Sequence, residues 1–153
     1  DQLLDEVIAE SLRHISRKHD EYTIVTKCEE LILVRMDVQL IIQVLVNLID
    51  NAIKYTPKGS KICIRGMKCN GKAQICVEDN GPGIADEMKP YIFEMFYTGK
   101  STIADSQRSL GLGLSLCQSI IEAHDGRLLL TDNTPRGCIF TFTLPLSEVT
   151  LNE

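Results

Sequence analysis

Residues 38–56, VQLIIQVLVNLIDNAIKYT, read as one helix that is apolar around most of its girth. At about 100° per residue, Ile41, Ile42, Leu45, Leu48, Ile49, Ala52 and Ile53 cover most of the circumference, and Gln43, Asn47, Asn51 and Lys54 form a narrow stripe. Such a helix cannot sit at the edge of a fold. Other elements must cover it, and only the stripe is left for water or for a ligand. Asp37 precedes it as an N-cap, and the turn signal TPKG follows it. A solvent-facing polar face is one reading of the stripe. Against it, Asn costs a helix roughly 0.5 kcal/mol relative to Ala, so two of them one turn apart point to a task. A neutral amide can ligate a hard cation through oxygen without a carboxylate's charge, which suits a metal already carried by phosphates.

The covering elements are legible from periodicity. Leu3, Leu4, Val7, Ile8, Ser11, Leu12 and Ile15 recur at helical spacing, predicting an amphipathic helix over 2–18. Strand-like runs fall at 22–28 and 31–36. Two more flank Asn70-Gly71 within 61–79, a dipeptide suited to a type I′ hairpin turn. A helix is expected over 86–95, then a polar loop over 97–110 whose length marks it as functional. GLSLCQSIIEAHDG predicts a helix of about three turns capped by Gly126. RLLLTDN and GCIFTFTLPL supply two closing strands before a polar tail at 148–153. The two hairpins favour an α/β two-layer sandwich over a doubly wound parallel sheet.

With 153 residues, 44% of them hydrophobic, the chain can bury a core without staples, so one domain over 1–147 is expected. Six dispersed cysteines with no C-x-x-C pair are read as reduced thiols in a cytosolic setting. A net charge of −5 with no Lys/Arg cluster argues against nucleic acid or a membrane surface as partner. The longest apolar run is too short to span a bilayer. Because the chain opens at Asp1 rather than Met, it is expected to be a piece of a longer protein whose other parts carry any membrane anchor.

Two glycine loops remain. VEDNGPGIADE sets Asp79 and Asn80 at a strand end before Gly81 and Gly83. The segment fits either a tight Asx turn or a close approach to a ligand, with the carboxylate accepting from an exocyclic amine such as adenine's. SLGLGLSLC sits where the loop is expected to become a helix, so the N–H groups of Gly111 to Leu114 are candidates for holding an anion. In an acidic chain, phosphates would need Lys54, Lys100, Arg108, a magnesium ion and that helix terminus for compensation.

In order and spacing, NLIDNAIKY, DNGPGI, FEMF and GLGL resemble the N, G1, F and G2 boxes of the ATP-binding domain of sensor histidine kinases. The segment from Leu33 to Pro57 is most similar to the KdpD-type potassium sensor kinases. The resemblance implies the Bergerat ATP-binding fold, a mixed, mostly antiparallel sheet with helices on one face and the nucleotide beneath a lid. It implies that Asn51 ligates Mg²⁺, that Asn47 sits beside the phosphates of ATP, and that Lys54 reaches toward them. It further implies Tyr55 against the adenine and Asp79 accepting from the 6-amino group. Gly81, Gly83 and Ile84 then shape the base pocket, Phe93 and Phe96 anchor the lid, and Leu110, Gly111, Leu112, Gly113 and Leu114 line the phosphate side. One departure stands in the G2 box, where Ser109 replaces the first glycine of G-x-G-L-G-L.

The same resemblance bears on the chemistry. Related gyrase and Hsp90 ATPases, and anti-sigma-factor serine kinases, carry Glu at the position of Asn47, and an amide cannot take the proton of water or serine. A neutral imidazole needs no such base, so a histidine acceptor suits the site. None of His14, His19 and His124 lies in a pattern like H-E-x-[RK]-[TS]-P, and each is read as an exposed helix-end residue. The resemblance therefore places the acceptor on a dimerisation and phosphotransfer domain upstream, with a response regulator as that domain's partner. The alternatives are a same-fold ATPase or serine kinase, and a nucleotide-binding pseudokinase module.

Overall fold

The computed structural model describes residues 2–15, 22–29, 31–54, 56–92 and 105–147. Among these, β1 (Gln2–Leu3), α1 (Leu4–Arg13), β2 (Thr23–Cys28), β3 (Leu33–Val34), α2 (Val38–Lys54), β4 (Lys61–Cys69) and β5 (Lys72–Asp79) come first. A 3-10 helix (Asp86–Tyr91), α3 (Asp105–Ala123), β6 (Leu128–Asp132) and β7 (Cys138–Pro145) follow. The main sheet has the order β2-β4-β5-β7-β6. Only β2 and β4 run parallel, and the other three pairings are antiparallel. This is the mixed, mostly antiparallel sheet and two-layer sandwich that the sequence predicts.

Strand alternation decides which face the helices take. Ile62 and Ile64 on β4, Ala73, Ile75 and Val77 on β5, and Phe140, Phe142 and Leu144 on β7 are all buried on one side. Against them lie Ile41, Val44, Leu45, Leu48 and Ile49 of α2, each fully buried. Burial of that kind contributes about 1.5–3 kcal/mol per side chain. The opposite face carries polar residues, among them the ion pair of Arg65 Nε with Glu78 at 2.8 Å.

Local signals hold where they are strong. Asn70 (φ 53) and Gly71 (φ 79) form the I′-type turn between β4 and β5. Asp37 Oδ1 accepts the Leu40 N–H at 3.3 Å, as an N-cap does. Thr56 lies outside helix α2 (Val38–Lys54), because the residue before Pro57 is biased away from helical ψ. The Tyr22 hydroxyl lies 2.9 Å from the carbonyls of both Ile53 and Thr56, at the helix's carboxyl end.

Other expectations are corrected. Gln2–Leu3 pair with Leu33–Val34 as a short ribbon, so the first helix starts at Leu4 and ends at Arg13. The helix expected over 86–95 is a 3-10 turn over Asp86–Tyr91, because Pro90 has no N–H to give and its ring would clash in an α-helix. Helix α3 begins at Asp105, eight residues before the expected start at Gly113. With Ser109 in place of a glycine, residues 105–110 contain no breaker, and Leu110, Leu114, Cys117 and Ile121 make one stripe at helical spacing.

The end of α3 also differs in detail. Asp125 (φ 63), not Gly126, takes the left-handed position, and Gly126 N–H bonds the Ile121 carbonyl at 2.9 Å while Asp125 N–H bonds that of Glu122 at 3.0 Å. Gly126 is glycine because a Cβ there would run into the Thr143 carbonyl of β7. Gly126→Ala should therefore lose about 3 kcal/mol to overpacking. Gly71→Ala, with open space but positive φ, should lose about 1 kcal/mol. Urea unfolding measures both, and equal losses would contradict the packing role of Gly126.

Candidate functional site

The polar stripe of α2 passes from water into the protein. Gln43 is exposed, Asn47 is half-buried, Asn51 is only 8% exposed and Lys54 is half-buried. Asn47 faces α3: its Nδ2 donates to Cys117 Sγ at 3.7 Å, and a Cβ on Gly113 would stand 3.7 Å from its amide. Burial pushes the Cys117 thiol up to about 12 despite that hydrogen bond, so it stays a neutral partner. The Asn51 amide makes no hydrogen bond to another described residue. Asn51, a buried residue whose amide has no hydrogen-bond partner among the described residues, stands one turn from a second amide, and two neutral amides so placed fit a hard divalent cation balanced by phosphates.

Asp79 closes the other side. It follows Ala73, Ile75 and Val77 on the core face of β5, so alternation carries its carboxylate into the helix layer, 7% exposed. Its Oδ1 accepts N–H bonds from Gly81 at 2.9 Å and Cys138 at 3.3 Å. Both bonds use the same oxygen, which leaves Oδ2 for another donor. Burial raises the Asp79 pKa, and the two backbone N–H groups only partly oppose that.

Gly81 is glycine because a Cβ would collide with the Thr56 methyl group just past α2. That methyl is held in place by a bond of 2.7 Å from Thr56 Oγ1 to the Ala52 carbonyl. Gly83 has φ 84 and faces the backbone of Gly137, and Ile84 is half-buried nearby in sequence.

Several expected site residues stand elsewhere. Leu114 is a core residue, 1% exposed. Gly111 to Leu114 lie inside α3, so their N–H groups point at the preceding turn and not at an anion. Arg108, Leu110 and Leu112 lie on the same helix, with side chains outside the described residues. Tyr55, Phe93, Phe96 and Lys100 lie outside them altogether. Thr56, Asn133, Gly137 and Cys138 join the site unforeseen. Only Thr56, next to Pro57, had a local signal.

His14 is exposed at the end of α1 beside Glu10, as expected, and His19 lies outside the described residues. His124 is half-buried and committed: its Nε2 accepts the Asp37 N–H at 3.0 Å, so the ring proton sits on Nδ1, 2.8 Å from the Ile120 carbonyl. Neither nitrogen is open to a phosphoryl group.

Residues 36–148 match the family described as histidine kinase-, DNA gyrase B-, and HSP90-like ATPase. The chain belongs to this family. ATP use comes with that membership. The sensor protein KdpD of Clostridium acetobutylicum is 40% identical over 145 residues, which are 94% of this chain but 16% of that protein. The catalytic domain of histidine kinase ThkA is 31% identical with a TM-score of 0.79, covering 94% of each chain. A structure of ThkA in complex with response regulator protein TrrA is 32% identical with a TM-score of 0.76, covering 94% of this chain and 40% of that one. Within the family, then, this chain is a histidine kinase catalytic domain. No helix among the described residues is long and apolar enough to cross a membrane.

The buried carboxylate yields a prediction. Because the pKa of Asp79 is higher folded than unfolded, the ionised group costs stability at neutral pH. That cost vanishes as pH falls through the raised pKa toward the ordinary carboxylate range. Asp79→Asn should therefore raise the Tm of the nucleotide-free domain at pH 7, with the gain shrinking toward acid pH. A lowered Tm at pH 7 would contradict this.

Proposed function

We propose that the domain binds ATP·Mg²⁺ between the amide stripe of α2 and Asp79, and presents the γ-phosphoryl group to a histidine on a helical domain upstream in the parent protein. The observation that carries this reading is Asp79 itself: a buried carboxylate with one oxygen held by two backbone N–H groups and the other left to accept from an adenine amine. Gly81 and Gly83 let the backbone approach the base. Asn51 would hold the cation, with Asn47 and Lys54 toward the phosphates. Bound Mg²⁺ supplies charge neutralisation on the phosphate oxygens.

Phosphoryl transfer asks the protein mainly for position and charge. Asn47 cannot remove a proton, which disfavours water and serine as acceptors. A neutral imidazole already has its nucleophilic lone pair, and within this chain His124 has both nitrogens engaged. The acceptor is therefore assigned to the parent's upstream domain, as is the docking of a response regulator. The domain's setting is cytoplasmic, and any membrane anchor belongs to other parts of the parent.

Asn51→Ala should weaken ATP binding in Mg²⁺ at least tenfold by calorimetry, while in EDTA the two proteins bind alike and circular dichroism is unchanged. Equal affinities in Mg²⁺ would overturn the metal assignment. With radiolabelled ATP, the isolated domain should gain no acid-labile phosphate, and the parent's acceptor helices supplied in trans should become weakly labelled, because an untethered mixture lacks the millimolar effective concentration of a short linker. ATP binding with no transfer to those helices would instead support a nucleotide-binding regulatory module.

A further inference from the structure

We infer that the turn between β6 and β7 is a brace that aims the Asp79 carboxylate, and that Asn133 is the residue through which it sets selectivity for the base. The inference rests on the reading of Asp79 as the group that meets adenine.

Asp79 is the last residue of β5, and the ladder to β7 ends one pair earlier, at Glu78 and Ile139. A strand end beside a glycine loop is a poor place to fix a side chain, since terminal backbone groups open easily. Here the turn secures it. Asn133 Nδ2 donates to the Asp79 carbonyl at 2.8 Å from 54 positions away in sequence. The Cys138 N–H donates to Asp79 Oδ1 at 3.3 Å. Backbone and carboxylate of one residue are thus held together, the first by the turn and the second by the residue of β7 that directly follows it.

The amide of Asn133 is itself oriented. Its Oδ1 accepts the Thr134 N–H at 2.8 Å, which leaves Nδ2 for Asp79, and its own N–H closes the turn on the Gly137 carbonyl at 2.9 Å. Gly137 packs so closely on the Asp79 carbonyl that a Cβ has no room, and its backbone also stands 3.5 Å from where a Cβ on Gly83 would lie. The turn therefore touches both sides of the glycine loop. Asp132, at its start, takes Lys89 of the 3-10 helix at 2.8 Å.

The consequence falls on selectivity. Adenine presents an amine where guanine presents a carbonyl, so a fixed acceptor favours one and repels the other. Phosphate and metal contacts are common to both nucleotides. A looser Asp79 should cost ATP more than GTP.

Asn133→Asp tests this with an isosteric change. It keeps the acceptor for Thr134 and sets a carboxylate oxygen against the Asp79 carbonyl. Calorimetry in Mg²⁺ should show ATP binding weakened about tenfold and GTP binding altered by less than about threefold, so the preference for ATP narrows. In an Asp79→Asn background the same change should leave the ATP-to-GTP ratio where it is. Equal weakening of both nucleotides, or no change in either, would overturn the inference while the proposed function stood. Wild-type protein with no preference for ATP would remove both, and shows this before any variant is made. If Asn133→Asp lacks a cooperative thermal transition, Asn133→Ala is judged by the same ratio.

Discussion

The burial of α2 is the constraint on which the rest of this structure depends. Five of its aliphatic side chains have no exposed surface, so neither the helix's position nor its rotation about its own axis can vary much. With that rotation set, Asn47 and Asn51 face a single direction. A one-residue change of phase would drive an amide into the apolar layer, at the cost of an unsatisfied polar group. The amides thus sit where they do as a result of packing.

Asp79 arrives at the same region by the other periodicity. Strand alternation that places Ile75 and Val77 under α2 also delivers a carboxylate into the helix layer. Three backbone segments then meet around it: the loop after β5, the end of α2 through Thr56, and the turn before β7. Close approach at Gly81 and Gly137 is what lets them meet. The burial that raises the pKa of Asp79 also strengthens any hydrogen bond its free oxygen accepts, because little water competes there.

The parts legible in the sequence were those fixed by short-range physics. Asn70-Gly71, the Asp37 cap, the alternation of β7 and the amphipathic phase of α2 each follow from a few neighbouring residues. Contacts across long separations left no such mark. Nothing near Asn133 names Asp79 as its partner, and nothing near His124 names Asp37, 87 positions away. Two departures from the expected pattern have local causes. Pro90, inside the apolar pattern of 86–95, enforces a 3-10 turn, and the apolar stripe through Leu110 and Leu114 carries the helix through the glycines at 111 and 113. At Gly126 the sequence signals a helix cap, and the structure adds a second requirement for glycine, the Thr143 carbonyl against which it packs.

The proposed nucleotide site lies between the α2 amides and the Asp79 loop. NMR titration of the domain with a non-hydrolysable ATP analogue and Mg²⁺ tests it most directly. The largest shifts should fall on the side-chain amides of Asn47 and Asn51 and on the backbone amides of Gly81, Gly83 and Cys138, with Arg65, Gln74 and Glu78 on the opposite sheet face unmoved. Saturable shifts confined to that opposite face, with the Asn51 amide unchanged, would contradict it.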